Sequence, residues 1–125
     1  MNEELLKELL NLPKLIKEKQ RDILELQKQI RLVEYKKKEI ENEITLAVFE
    51  ERDSQGKPRF SNIAIRKAEI ARRLKRDKKY QELLEYEREL MTRLNEEKIE
   101  LEYLQNRFSG IKYYVRYISS LTDQS

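Results

Sequence analysis

The chain contains no cysteine and no histidine, and only two of its 125 residues are glycine. Without cysteine there is no disulfide and no thiolate chemistry. Without either residue there are no usual zinc ligands and no Cys–His or Ser–His catalytic pair. The two glycines, Gly56 and Gly110, are isolated and do not make a glycine-rich phosphate-binding loop. We therefore predict a protein that is not an enzyme and that needs no cofactor and no metal.

Long hydrophobic runs are also missing. No stretch of the chain approaches the roughly 20 apolar residues needed to span a bilayer. The first six residues, MNEELL, are acidic and lack the basic and apolar regions of a signal peptide. The sequence predicts a cytoplasmic protein without membrane contact.

Charged residues make up 41% of the chain, a level at which disorder competes with a folded structure. An apolar repeat of about 3.5 residues argues against disorder, because disordered segments lack such a repeat. The repeat occupies thirteen positions, eleven of them apolar, which we call the seam: Leu5, Leu9, Leu12, Ile16, Lys19, Ile23, Leu26, Ile30, Val33, Lys37, Ile40, Ile44 and Ala47. The seam predicts a long amphipathic helix that needs a partner.

A second stripe of similar spacing follows later in the chain: Tyr80, Leu83, Glu87, Leu90, Leu94, Glu97, Leu101, Leu104, Phe108, Ile111, Val115 and Ile118. We predict one helical domain over residues 1–125, with a first arm over 2–50, a turn over 51–61, a second arm over 62–118 and a frayed tail over 119–125. Arms of similar length joined by one Gly/Pro turn are typical of an antiparallel helical hairpin. The fold class predicted is all-α, a long coiled-coil hairpin that assembles into a helical-bundle homo-oligomer.

Three positions are expected to perturb the arms. Pro13 predicts a mild bend or a helix restart. The apolar phase changes at Asp77, which predicts a break with Asp77 as an N-cap. Gly110 predicts either a helix end or a kinked continuation.

The expected register places Ile44 near Ala68, and Ile16 near Glu96 or Ile99. Four charged residues interrupt the two stripes: Lys19, Lys37, Glu87 and Glu97. In this register Lys19 needs about one turn of stagger to reach Glu97. Such a pair would fix register more than it would add stability.

The charge distribution contains one strong asymmetry. Residues 57–79 carry ten basic and two acidic side chains, a net +8, whereas the whole chain is +3. Such a basic segment is typical of a protein that binds a phosphate backbone. The predicted nucleic-acid-binding residues are Lys57, Arg59, Phe60, Arg66, Lys67, Arg72, Arg73, Arg76, Lys78 and Lys79, with Phe60 placed to stack on an unpaired base. The competing interpretation is a solvated basic face that pairs with acidic stretches of a neighbouring chain.

The sequence contains two weaker patterns. The first is a set of tyrosines interleaved with cations: Tyr113, Tyr114 and Tyr117 with Arg107, Lys112 and Arg116. Such a set can bind single-stranded nucleic acid. More often, tyrosines in this arrangement pack at an interface. Carboxylate pairs such as Glu39/Glu43 and Glu96/Glu100 have the spacing of a cation site, but solvated helix faces explain them in a chain this charged.

The stretch DSQGKPRFSN (residues 53–62), followed by Arg66, Arg72-Arg73-Leu74 and the Asp77…Tyr80 step, resembles small helical proteins of phages and prophages. In those proteins a D-x-x-G-K-x-x-[YF]-S-N turn joins two helical arms. The resemblance covers residues 45–118 and departs from the pattern at Ile63, where an acidic residue is expected. It implies a protein of a recombination or replication module, acting inside the host cell, with these signature positions: Asp53, Gly56, Lys57, Phe60, Asn62 and Arg66.

Three functions remain open at this point. The first is a helical accessory protein of phage-type DNA metabolism that binds DNA or RNA through residues 57–79. The second is an adaptor or inhibitor that binds a host or phage protein, such as a host nuclease or defence complex. The third is a structural coiled coil that only self-associates.

Overall fold

The computed structural model describes residues 3–123, and three helices account for most of them. Helix α1 spans Glu3–Glu50, α2 spans Ile63–Arg76 and α3 spans Lys78–Asp123. The all-α fold class is confirmed. Of the predicted first arm, Asn2 lies outside the described residues, as do Gln124 and Ser125 of the predicted tail. Helical structure continues through Asp123, so the part of the tail over 119–123 is not frayed.

The chain divides into two compact units. Unit 1 contains the residues up to Gln27 and those from Thr92 onward, and unit 2 contains Lys28–Met91. Each unit therefore includes part of α1 and part of α3, and unit 2 also includes the turn and α2.

In unit 1 the two helices run antiparallel. Lys19 Nζ lies 2.8 Å from Glu97 Oε2, and Arg107 Nε lies 2.6 Å from Glu8 Oε1. Residue numbers thus fall along α1 while they rise along α3. Because Lys19 reaches Glu97, the register of unit 1 differs by about one helical turn from the expected one. The core of unit 1 is the buried cluster and its neighbours: Leu12, Leu104 and Ile111, with Leu5, Leu9, Ile16, Phe108 and Val115 packed against them.

In unit 2 the helices α1 and α3 are also antiparallel. Lys37 Nζ lies 3.0 Å from Glu87 Oε1, and the Tyr80 hydroxyl donates to Glu41 Oε2 at 2.7 Å. Burial and the negative charge of Glu41 raise the pKa of Tyr80 to about 12. The buried apolar side chains of unit 2 are Ile30, Val33, Ile40, Val48, Tyr80 and Leu90.

The seam is confirmed along most of α1, but its last position is wrong. Ala47 is exposed, whereas Val48 is only 1% exposed. A straight helix has about 3.6 residues per turn, so a strict 3.5-residue repeat drifts away from the buried face unless the helices supercoil. The step from Ile44 to Val48 follows this drift. On α3, all twelve positions of the second stripe are buried or half-buried.

The break at Asp77 is confirmed. Its backbone is extended at φ −73° and ψ 113°, and its Oδ1 accepts a 2.7 Å hydrogen bond from the Tyr80 backbone N–H. One residue thus ends α2 and caps α3, because a short carboxylate satisfies an N–H that the first turn leaves unpaired. At the other two perturbed positions, α1 continues through Pro13 without a restart and α3 continues through Gly110.

The register predicted near the turn is wrong. Ala68 is exposed rather than packed near Ile44, and Glu41 instead bonds to Tyr80. The reason is the break at Asp77, which makes α3 rather than α2 the partner of this part of α1. The apolar side chains of α2 are only partly buried, since Ile70 and Leu74 are half-buried but Ile63 is 66% exposed.

The Lys37–Glu87 pair is expected to set register rather than to add stability. Replacing Lys37→Leu leaves the half-buried Glu87 carboxylate without its cation and should lower the free energy of unfolding by about 1 kcal/mol. The double variant with Glu87→Leu should recover that loss, because an apolar pair of similar volume replaces a partly desolvated ion pair. Urea denaturation measures the free energy of unfolding of each variant. Lys38→Leu, at an exposed neighbour, is the control. The interpretation is contradicted if the double variant is as unstable as the separate losses of Lys37→Leu and Glu87→Leu added together.

Candidate nucleic-acid interface

The turn between α1 and α2 folds as a small β-hairpin. The Asp53 backbone N–H donates to the Lys57 carbonyl at 2.8 Å, and Arg52 pairs with Pro58 in an antiparallel bridge. Asp53 Oδ1 accepts from the backbone N–H groups of Gln55 and Lys57. Gly56 has φ +77°, a left-handed conformation that glycine adopts without strain. This three-residue loop with a terminal glycine is a common hairpin connection, and it holds Lys57 at a defined position.

Helix α2 begins immediately after the hairpin with a side-chain cap. Asn62 Oδ1 accepts a 2.8 Å hydrogen bond from the Ile65 backbone N–H. An asparagine cap satisfies one of the free N–H groups of the first turn. The cap therefore fixes the start of α2 at Ile63.

Two glutamates hold the hairpin and α2 together through arginines of the predicted site. Glu51 pairs with Arg59 at 2.5 Å and also with Arg73. Glu69 Oε1 lies 2.6 Å from Arg72 Nη2 and 2.8 Å from Arg73 Nε. Arg73 is therefore shared between an acid at the end of α1 and an acid within α2. We call these five residues the arginine–glutamate cluster.

Hydrogen bonds within the cluster lower the pKa values of its two carboxylates. Hydrogen bonds from Arg72 and then Arg73 lower the pKa of Glu69 from its ordinary 4.5 to about 2. Hydrogen bonds from Arg73 and Arg59 likewise lower the pKa of Glu51. Both carboxylates therefore stay ionised at neutral pH and neutralise part of the basic charge locally.

The aromatic residues near the cluster are engaged by cations of the same unit. Phe60 is half-buried, and the guanidinium carbons of Arg59 and Arg73 lie 5.3 Å and 5.6 Å from its ring centroid. The guanidinium of Arg66 lies 4.5 Å from the Phe49 ring. These are cation–π distances. The predicted use of Phe60 as a platform for an unpaired base therefore competes with contacts that Phe60 already makes.

The predicted site residues thus separate into two groups. Arg59, Phe60, Arg66, Arg72 and Arg73 form contacts inside unit 2, although Arg59 and Arg72 keep 56% and 54% of their side chains exposed. The other predicted cations are exposed, and none of them forms an ion pair with any residue of the described chain: Lys57, Lys67, Arg76, Lys78 and Lys79. The same holds for Lys75, which is not among the predicted site residues. We call these six residues the free cations.

Helix α2 presents two free cations on its outer side. Arg66, Glu69 and Arg73 lie on the inner side, so at about 100° per residue Lys67 and Lys75 lie on the outer side. The remaining outer positions include the exposed alanines Ala64, Ala68 and Ala71. Small side chains between lysines allow a large anionic surface to approach the helix closely.

The glutamates of the cluster were missed as site residues by sequence reasoning. Glu69 carries a local signal, since it precedes Arg72 and Arg73 by three and four residues, the spacing at which helical side chains meet. Glu51 carries no such signal, because its contact with Arg73 spans 22 residues and depends on how the hairpin folds.

The second basic–aromatic patch lies in unit 1. Tyr113, Tyr114 and Tyr117 are 68%, 49% and 61% exposed. Arg116 lies 5.9 Å from the Tyr113 ring centroid, and Lys112 lies 5.5 Å from that of Phe108. Arg107 is bonded to Glu8. The patch is therefore an exposed set of rings rather than part of the unit 1 core.

Among residues 3–123, no helix is both long and apolar enough to cross a membrane, and no three Asp or Glu side chains come together as metal ligands. No protein-family model, curated protein or solved structure matches this chain.

The depressed pKa of Glu69 predicts a specific pH dependence. A carboxylate whose pKa is lower in the folded than in the unfolded state stabilises the fold above its unfolded pKa and loses that contribution as pH falls. The contribution of Glu69 is thus complete above pH 4.5 and declines toward pH 2. Thermal unfolding across this range should show a shallower loss of stability for Glu69→Gln than for the wild type. Glu89→Gln, the same change at an exposed position, is the control, and equal slopes for Glu69→Gln and the wild type would refute the assignment.

Proposed function

We propose that this chain is a non-enzymatic helical accessory protein that binds nucleic acid through the hairpin, α2 and the start of α3. The observation that carries the proposal is the group of six free cations within a segment of net charge +8. Exposed cations without an intramolecular ion pair can bind an external anion. A nucleic-acid backbone is a polyanion whose phosphates can contact several of these cations at once.

The composition of the free cations favours contacts to phosphate over contacts to bases. Five of the six are lysines, which act as point charges toward phosphate. Arginine is the residue that pairs bidentately with guanine, yet four of the five arginines of the basic segment contact Glu51, Glu69 or Phe49. Binding is therefore expected to be largely independent of sequence, because phosphate contacts carry no base information.

The resemblance of the turn supports a setting in phage DNA metabolism inside the host cell. Among its signature positions, Asp53, Gly56 and Asn62 have structural roles in the hairpin and the helix cap. Arg66 and Phe60 make cation–π contacts within unit 2. Lys57 is the signature residue whose side chain is exposed and has no ion pair with a described residue. A lysine at that position is most simply explained by an external ligand.

Charge reversal at the free cations tests the proposal. The triple variant Lys67→Glu, Lys78→Glu and Lys79→Glu places no new carboxylate three or four residues from Arg72 or Arg73, so the arginine–glutamate cluster stays intact. It should weaken binding to duplex and single-stranded oligonucleotides in fluorescence anisotropy. If each of the three contacts a phosphate, the slope of log K against log salt should fall by about 2.7 on duplex DNA, since each phosphate contact contributes about 0.9.

The matched control changes the same charge elsewhere in unit 2. This control variant carries three charge reversals at exposed cations of α1: Lys28→Glu, Arg31→Glu and Lys38→Glu. Because both triple variants change the net charge equally, the effect of net charge is common to both. Apart from that effect, the control variant should keep an affinity close to the wild-type value. Equal losses in both triple variants would indicate attraction by net charge alone. A wild-type chain that binds no oligonucleotide at low salt would reject the proposal and favour the adaptor or inhibitor function, which recovery of a partner protein after nuclease treatment would then test.

A further inference from the structure

Helix α3 carries a second apolar stripe in unit 1, on a face that α1 does not cover. Its apolar members and their exposed fractions are Ile99 at 68%, Tyr103 at 60%, Tyr114 at 49%, Tyr117 at 61% and Leu121 at 49%. Asn106 and Gly110, both exposed, complete the repeat. The steps from 99 to 121 are four, three, four, four, three and four residues, the spacing of a helix that packs against another helix. We call this set the outer stripe.

The outer stripe is separate from the face that packs on α1. The inner positions of the same segment, such as Leu104, Phe108 and Ile111, contact the α1 part of unit 1. At 100° per residue, the centres of the two stripes are about 120° apart around the helix. A helix with two apolar stripes at this separation has two helical neighbours, as each helix of a bundle does. Unit 1 supplies only one of those neighbours.

Gly110 points to a close neighbour on this face. Glycine in a helix interior lowers helix stability relative to alanine, so its presence calls for a reason. A Cβ at Gly110 would meet no atom within 4 Å, and its φ is not positive. Packing and backbone conformation within the chain therefore do not explain it. Gly110 instead borders an open groove of about 480 Å³ that is lined also by Leu5, Tyr103 and Tyr114.

The charges beside the stripe indicate which helix fits it. The segment 96–102 has three exposed glutamates, Glu96, Glu100 and Glu102, and one lysine. The segment 107–116 has Arg107, Lys112 and Arg116 and no acid. A second α3 laid antiparallel along the first, with Tyr103 of each copy opposite Gly110 of the other, places residues 96–102 of each copy opposite 111–117 of the other. The three exposed glutamates then face Lys112 and Arg116, whereas a parallel arrangement opposes like charges. The stripe is thus complementary to itself.

We propose that the outer stripe is a homotypic interface, at which the α3 segment 96–117 packs antiparallel against the same segment of a second copy. Tyr103 of one copy enters the groove beside Gly110 of the other. The interface is isologous, since the same surface is used by both copies. It rests on unit 1 alone and is independent of the proposed nucleic-acid surface.

Analytical ultracentrifugation of the full chain tests the interface. The wild type should sediment as twice the 15.3 kDa chain mass. Tyr103→Glu with Tyr117→Glu should shift it to the monomer, while circular dichroism stays helical. Tyr35→Glu with Tyr86→Glu makes the same changes at exposed tyrosines of unit 2, which are 63% and 44% exposed, and should remain a dimer.

Gly110→Leu separates an interface from a purely helical role. Leucine is the better helix former and has free space in the chain, so the variant should melt at or above the wild-type monomer transition. Its side chain occupies the groove, so the dimer dissociation constant should rise at least tenfold. Unchanged dimerisation in this variant overturns the role assigned to the groove.

Charge reversal tests the orientation. The first variant combines Glu96→Lys, Glu100→Lys and Glu102→Lys, and the second combines Lys112→Glu and Arg116→Glu. Each variant should be monomeric on its own. A mixture of the two variants should restore the dimer, because each basic segment again faces an acidic one. Preferential pairing of the first variant with the wild type would indicate a parallel arrangement and overturn the proposal.

Two further outcomes also overturn it. One is a wild-type chain that remains monomeric at every concentration. The other is a dimer that the tyrosine variant does not affect. If the tyrosine variant instead loses affinity for single-stranded oligonucleotide while the wild type stays monomeric, the outer stripe is a base-stacking surface.

Discussion

Burial of one apolar stripe on each long helix is the constraint on which the rest of the structure depends. Isolated helices are marginal in water, and 41% of this chain is charged, so packing must supply the stability. Within unit 1 this packing centres on Leu12, Leu104 and Ile111, and within unit 2 it includes Val48 and Leu90, the most deeply buried side chains. The ion pairs Lys19–Glu97 and Lys37–Glu87 sit in these stripes and select the register, because a shifted register would leave the charges without partners.

The candidate site depends on Arg73 in a comparable way. Its guanidinium contacts Glu51 after α1, Glu69 within α2 and the ring of Phe60 after the hairpin. One side chain thus ties together three segments that have few apolar residues of their own. This arrangement explains why a segment with ten cations folds compactly and why only part of its charge remains available. A basic segment is therefore not uniformly a binding surface, since some of its cations are structural.

The predicted structure agrees with the observed one where the sequence signal is periodic or local. The second stripe and the break at Asp77 each follow from residues within a few turns of one another. The predicted register is wrong where it depends on the partner helix. The sequence places Ile44 near Ala68, because nothing local to α1 shows that the break at Asp77 makes α3 its neighbour. Ala47 is exposed for a different reason, namely that a strict 3.5-residue repeat drifts away from the buried face of the helix.

For the site, the sequence by itself determined the total charge, the turn chemistry of Asp53 and Gly56, and the helical periodicity of both arms. Composition and spacing suffice for these, since they depend on residues close in the chain. Only the tertiary structure decided which cations of residues 57–79 are paired and which are free, because the Glu51–Arg73 contact joins residues 22 positions apart. It also decided that Ile99, Tyr103 and Tyr117 lie on an uncovered face, since helical spacing does not show which of two stripes α1 buries.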